Sequence, residues 1–218
     1  MNCLNTAHKT CSIHDLIEVL IAGIEEKDLY TKGHSDRVSN LSSLISSQII
    51  MSELLMKEIH MAAHLHDLGK IYVSDQILNK PGPLSNSEWE EIKRHPEIGG
   101  RLLSKVSGFD AISKIVKHHH ERWEGYGYPD GLKKHEIPLG SRIIAIADAI
   151  DAMLSTRPYR KPLSIDSCIQ ELEKSSGTQF DPELVPIAVK IIKDSNFTYD
   201  FIDTTINVTS NTSTSINA

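Results

Sequence analysis

An all-α fold follows from three features of the sequence. Apolar residues recur at helical spacing through most of the chain, helix-capping residues punctuate those runs, and no stretch alternates apolar and polar residues long enough to form a half-buried strand. The expected architecture is a compact multi-helix bundle that carries its chemistry at helix ends. A chain of 218 residues, 39% hydrophobic and 24% charged, is long enough to bury a core of that kind. Its net charge of −6 argues against adhesion to a nucleic acid polymer or to anionic lipid. No apolar run reaches bilayer-spanning length and the first residues lack a signal-peptide layout, so the expected location is the cytoplasm. Three separated cysteines, Cys3, Cys11 and Cys168, do not make a disulfide scaffold.

The elements can be taken in order. Ser12 caps a first helix whose apolar stripe is Ile13, Leu16, Ile17, Leu20, Ile21 and Ile24. Gly33 breaks the chain before a second helix from about Ser35, with Val38, Leu41, Leu44 and Ile45 facing inward. A third spans about Ser52 to Leu68 and ends in His66-Asp67, where Gly69 marks a stop. Residues 71–84 read as a connector containing at most a turn of helix, because Pro81, Gly82 and Pro83 interrupt it. Ser85 with Glu88 three residues on is a capping-box signal for a helix carrying Trp89 and Ile92 and ending near His95. Pro96 starts the next helix, with Ile98, Leu102 and Leu103. Ile112, Ile115 and Val116 then lead into His118, His119 and His120, followed by a Gly- and Pro-rich loop over 123–140. A buried helix is expected from about Ser141 to Ser155, then one capped by Ser164 and one opening at Asp181-Pro182. The Thr-, Ser- and Asn-rich tail, 196–218, reads as disordered.

Seven of the eleven histidines fall between His60 and His120. His66 and Asp67 end one helix, His95 another, and His119 and His120 a third, while Asp148 sits in an apolar helix where a bare carboxylate is costly. Imidazole and carboxylate donors without thiolate suit iron, manganese, zinc or nickel, and not a structural zinc site. Two ions sharing Asp67 would lower the pKa of a water molecule and direct it at phosphorus, so the expected class is a phosphohydrolase.

His66-Asp67 with Lys70, HPEIGG at 95–100, HHHERWEGYGYPDGL at 118–132, IPLGSRIIAIADAIDAM at 137–153, RPYR at 157–160 and GTQFDP at 177–182 resemble, in order, the motifs of the HD-GYP family. That family is a branch of the HD-superfamily phosphohydrolases acting on the bacterial second messenger cyclic di-GMP. The resemblance covers residues 28–193. It implies metal ligands at His34, His66, Asp67, His95, His119, His120 and Asp148, with Asp67 bridging two divalent ions, iron or manganese first and zinc or nickel as alternatives. It implies that Lys70 contacts the scissile phosphate, and that Gly127, Tyr128, Pro129, Arg157 and Arg160 lie at the substrate. Asp151, one turn beyond Asp148, would orient an arginine or a ligating histidine on that side.

Two departures stand out. Tyr30 occupies the place where some members carry a glutamate for a third metal, which leaves two metals expected here, and Glu124 replaces the aspartate usual in the loop motif. The resemblance divides the chain into a helical extension over 1–27, a phosphohydrolase domain over 28–195 and the tail. The first helix is expected to bury its stripe in the domain's own core, a homodimer contact or another signalling protein being the alternative use. The activity implied is hydrolysis of cyclic di-GMP to pGpG, with continued cleavage to GMP left open. A different cyclic dinucleotide or nucleotide, or a receptor that binds without turnover, remain the competing readings.

Overall fold

This computed structural model describes residues 13–28, 32–156 and 161–194. Ten α-helices are present among them: α1 (Ile13–Glu25), α2 (His34–Ser47), α3 (Glu53–Leu65), α4 (Asp75–Leu78), α5 (Asn86–Ile92), α6 (His95–Leu103), α7 (Asp110–Lys117), α8 (Leu139–Leu154), α9 (Ile165–Lys174) and α10 (Val185–Lys193). Two short 3-10 segments, Leu68–Tyr72 and Lys134–Glu136, complete the order. Among the described residues the only β pairing is an isolated bridge between Ser176 and Phe180, so the all-α expectation holds.

The core is organised around α8, whose Ile143, Ile144, Ile146 and Ala147 are fully buried. α8 packs across α2 and α3, which lie side by side. α6 and α7 form a second pair joined to α3 through α7, and α9 and α10 close the opposite flank. On α2, Ser39, Ser42 and Ser46 are completely buried. Their small side chains let α2 lie close against Ala62 and Ala63 of α3, also completely buried, while Val38, Leu41 and Ile45 supply the apolar area. No helix among the described residues is long and apolar enough to cross a membrane.

Several boundaries differ from the sequence reading. α1 buries Ile17, Ile21 and Ile24, but Leu16 and Leu20 are each 57% exposed, so its inward stripe is narrower than the apolar pattern. Leu44 is likewise exposed. The third helix stops at Leu65, and Gly69 lies inside the 3-10 turn that follows. α5 ends at Ile92, and His95 opens α6 instead of closing α5. The last helix begins at Val185, four residues after Asp181, whose carboxylate accepts the Glu183 N–H in the turn before it. At the three shifted boundaries a short turn that local propensity does not signal inserts between two packed elements. The predicted tail lies outside the described residues.

The capping box at α5 is formed as expected: Ser85 Oγ accepts the Glu88 N–H at 3.3 Å and Glu88 Oε2 accepts the Ser85 N–H at 2.7 Å. α5 buries no residue of its own, so its order depends heavily on that cap. Ser85→Ala is expected to cost about 1 kcal/mol of local helix stability. Hydrogen exchange should show faster amides at 86–92, with little change in α8.

Candidate metal centre and substrate cleft

The clustered side chains come from the ends of helices that converge on the C-terminal half of α8, which carries Asp148 and Asp151. His34 is the first residue of α2, and Gly33 ahead of it takes a left-handed φ of 69°. Glu25, the last residue of α1, accepts the Gly33 and Ser35 N–H groups at 2.7 and 3.1 Å, an anion held on a helix N-terminus. The end of α1 thus fixes the position of His34. His66 terminates α3, Asp67 precedes the 3-10 turn, His95 starts α6, and His119 and His120 follow α7.

Three imidazoles are oriented by the same device. His66 Nδ1–H donates to Ala63 O at 2.7 Å, His95 Nδ1–H to Ile92 O at 2.7 Å, and His119 Nδ1–H to Val116 O at 2.6 Å. His34 Nδ1–H donates to Asp151 Oδ2 at 2.7 Å. Each ring therefore turns Nε2 inward. His34 Nε2 lies 3.2 Å from His66 Nε2, and His95 Nε2 lies 3.3 Å from His119 Nε2.

Asp67 stands between these pairs. Its Oδ1 is 3.3 Å from His95 Nε2, and its Oδ2 is 3.4 Å from His66 Nε2 and 3.7 Å from His34 Nε2. Asp148 Oδ1 is 3.5 Å from His34 Nε2. Three overlapping donor groups result, His95–His119–His120, His34–His66–Asp148 and His66–Asp67–His119, within each of which the donor atoms lie within 4.8 Å of one another. All seven sequence-predicted ligands are brought together.

The electrostatics suit a cation. Burial opposes ionisation of Asp67, but the charges of Lys70 and His66 outweigh it and hold the carboxyl well below its usual range. Burial, reinforced by the Lys70 charge, pushes His95 down to about 3 despite Asp67. His119 and His120 are likewise pushed well below the imidazole range, by burial first and by adjacent histidines second. His95 and His119 therefore face each other with two lone pairs and no proton between them. That arrangement is repulsive by itself and becomes favourable around a metal ion, so the donor set fits one. His66 behaves differently: burial opposes its proton, yet Asp67 and Asp148 hold the pKa up at about 9, placing a positive charge where a cation would otherwise sit.

Lys70 Nζ pairs with Asp67 Oδ2 at 2.8 Å and with Asp28 Oδ2 at 3.4 Å. Burial opposes its charge, but Asp67 and Asp28 hold the ammonium firmly protonated. Asp28 had no sequence signal; its role follows from the end of α1 passing over the 3-10 turn. Asp151, expected at the substrate and as a partner of an arginine or a ligating histidine, reaches His34 behind the donor cluster and does not border the cleft. Its carboxylate is buried between His34 and Arg37, with Oδ1 2.6 Å from Arg37 Nε. Arg37 is one turn beyond His34, and that spacing was the available clue.

The loop after the histidines is tied back onto them. Glu121 Oε1 accepts the N–H groups of Asp130 and Gly131 at 2.8 and 3.0 Å, while His118 and Lys117 both contact Asp130 Oδ2, at 2.9 and 2.6 Å. His118 is thus a loop anchor and points away from the metal donors. The Tyr128 ring lies 5.0 Å from that of His120, and the Tyr128–Pro129 bond is cis. Gly127 approaches so near that a Cβ would sit 2.3 Å from Arg122 N. Glu124 Oε1 accepts from Arg122 Nη2 at 2.8 Å. Arg157, Arg160 and Tyr30 lie outside the described residues.

Asp28, His34, Asp67, Lys70, His95, His120, Tyr128 and Asp148 all border one cleft of about 750 Å³. Close backbone packing sets its floor. A Cβ on Gly69 would lie 1.9 Å from His95 O and 2.8 Å from Gly99 N, both main-chain atoms that cannot swing aside. Gly69→Ala is therefore expected to displace the start of α6, destabilise the fold by roughly 2 kcal/mol or more, and lower bound metal. Thermal unfolding and metal analysis of the purified variant check this.

The fold and donor cluster define a helical protein with a buried histidine–aspartate cluster, able to hold metal ions, that opens on a cleft. The HD domain family profile matches residues 18–184, and the chain belongs to that family, in its HD-GYP branch. The chain is 42% identical, over 84% of its length and 50% of the relative's, to a "Cyclic di-GMP phosphodiesterase" of Thermotoga maritima. It is 39% identical, over 73% of its length and 35% of the relative's, to "3'3'-cGAMP-specific phosphodiesterase 3" of Vibrio cholerae. The chain thus spans half or less of these curated relatives. A solved cyclic GMP-AMP phosphodiesterase from V. cholerae shares the fold, with a TM-score of 0.61 at 22% identity over 83% of this chain and 49% of that one.

Proposed function

We propose that this chain is a metal-dependent phosphodiesterase that opens cyclic di-GMP to linear pGpG and then to GMP. The observation that carries the reading is the pair of deprotonated, inward-facing Nε2 atoms of His95 and His119, 3.3 Å apart and both within reach of Asp67. His34, His66 and Asp148 would hold one divalent ion, His95, His119 and His120 a second, and Asp67 would bridge them. Ions bound there supply Lewis acidity at phosphorus and lower the pKa of an attacking water. Iron or manganese are the preferred ions for this donor set, with zinc and nickel also compatible.

The chain's own groups supply the rest. Lys70 presents a fixed positive charge to the phosphoryl oxygens, where charge builds as the P–O bond breaks. Asp28 and Asp67 aim that ammonium and keep it charged. Tyr128 borders the same cleft with a phenol kept protonated, by burial first and by the charges of Asp148 and Asp67 second, and so offers a hydrogen-bond donor. Asp151 holds the His34 tautomer, a positioning role. The loop at Gly127, Tyr128 and Pro129, with Arg157 and Arg160, would contact the substrate. We assign the phosphohydrolase domain to 28–195 and its place of action to the cytoplasm.

The test is direct. Protein purified anaerobically and loaded with iron or manganese is incubated with cyclic di-GMP, and linear pGpG is the expected product. Absence of linear product with either metal overturns the reading. The 39% identity to a relative named for 3'3'-cGAMP supports a second reading, in which the mixed dinucleotide is the better substrate. A comparison of kcat/KM on the two separates them.

A further inference from the structure

The segment from α4 to α5 is unusual in what it does with its apolar residues. Neither α4 nor α5 contains a buried residue, and none of the segment's apolar side chains joins the hydrophobic core. Ile77, Leu78, Pro81, Pro83, Leu84 and Trp89 instead border the cleft that holds Lys70 and the metal donors. Trp89 is 46% exposed, an indole left in water at the mouth of a charged site. Exposed apolar area of this kind is unfavourable without a ligand to cover it.

The wall is held in place from outside. Glu91 Oε1 accepts the Ser74 N–H at 3.1 Å, and Asn79 Nδ2 donates to Lys27 O at 3.0 Å. The lysine on the wall, Lys80, is already neutralised by Glu88, at 2.7 and 2.9 Å. This side of the cleft therefore offers flat apolar contact and no free charge, while the opposite side carries the Lys70 ammonium and the donor set that would hold metal ions. A ligand suited to both ends carries a phosphate and a planar, weakly polar ring system.

We infer that the α4–α5 wall is a nucleobase subsite in which Trp89 stacks on one purine of the dinucleotide while its phosphate lies at Lys70. The inference rests on the phosphodiesterase reading and adds a substrate-binding residue to it. Stacking on an indole accepts any base because each has a π-face, so this wall contributes affinity and leaves the choice between guanine and adenine to other groups. Loss of the indole is expected to weaken binding by between about fivefold and about a hundredfold.

The experiment combines binding and kinetics on the metal-loaded protein. A phosphorothioate analogue of cyclic di-GMP is titrated calorimetrically against the unsubstituted protein, Trp89→Ala and Trp89→Phe. Trp89→Ala is expected to raise Kd for the analogue, and KM for cyclic di-GMP, about tenfold with kcat within about twofold, and Trp89→Phe to recover most of the loss. Hydrolysis of bis(p-nitrophenyl) phosphate, which reaches the metal centre without a purine, is expected to be unchanged. The subsite is overturned if Trp89→Ala binds and turns over like the unsubstituted protein, if the phosphate diester loses as much as the dinucleotide, or if Trp89→Phe is as poor as Trp89→Ala. Failure of the unsubstituted protein to bind the analogue at all is a distinct result and overturns the phosphodiesterase reading together with the subsite.

Discussion

Replacing Asp67 with alanine is expected to strip the protein of metal and abolish phosphodiester hydrolysis. Asp67 is the one carboxylate with an oxygen toward each histidine pair: Oδ1 toward His95, Oδ2 toward His66 and His34. Its removal leaves five buried or half-buried imidazoles with only Asp148 to offset the charge of the ions they would hold. Loss of an outer-shell partner commonly costs about 10–100-fold in metal affinity, and loss of a shared inner carboxylate should exceed that. Metal content measured after gel filtration, beside turnover of cyclic di-GMP, checks both halves. If Asp67→Ala retains its full metal content, Asp67 does not bridge.

Replacing Lys70 is expected to do the opposite to the metal. Lys70→Ala removes a positive charge 2.8 Å from Asp67 Oδ2, so the acidic cluster becomes more attractive to a divalent ion and metal is retained. Turnover should nonetheless fall by roughly a hundredfold or more, because the donor aimed at the developing phosphoryl charge is gone. Asp28, paired with Lys70 at 3.4 Å, keeps other contacts, and the fold should survive. Parallel loss of metal and turnover would reduce Lys70 to a structural prop for Asp67.

The two substitutions differ because adjacent parts of one turn do different work. Asp67 and Lys70 are three positions apart across the start of the 3-10 segment, and both face the cleft. Gly69 lies between them and lets the turn press against the α6 backbone. The constraint on that glycine is close approach, since its φ is not in the left-handed region.

Much of this was legible in the chain. Helical periodicity specified an all-α core, since apolar residues three and four apart can share a face only on a helix, and the Ser85–Glu88 pair announced α5 because its two reciprocal bonds are local. The candidate metal donors were readable as residue types at ordered motifs, His34, His66, Asp67, His95, His119, His120 and Asp148. Local signals could not show where Leu16 and Leu20 would face, because a helix's apolar stripe does not state how wide its partner is. Nor could they reveal Asp28 over Lys70, or Asp151 and Arg37 behind His34, since those contacts join residues 42 and more than 100 positions apart. Sequence by itself thus determined the helices and the chemical character of the site. Only the tertiary structure decided which Nε2 atoms face one another, which carboxylate lies between them and which apolar wall completes the cleft, because those are matters of distance between elements that no local propensity encodes.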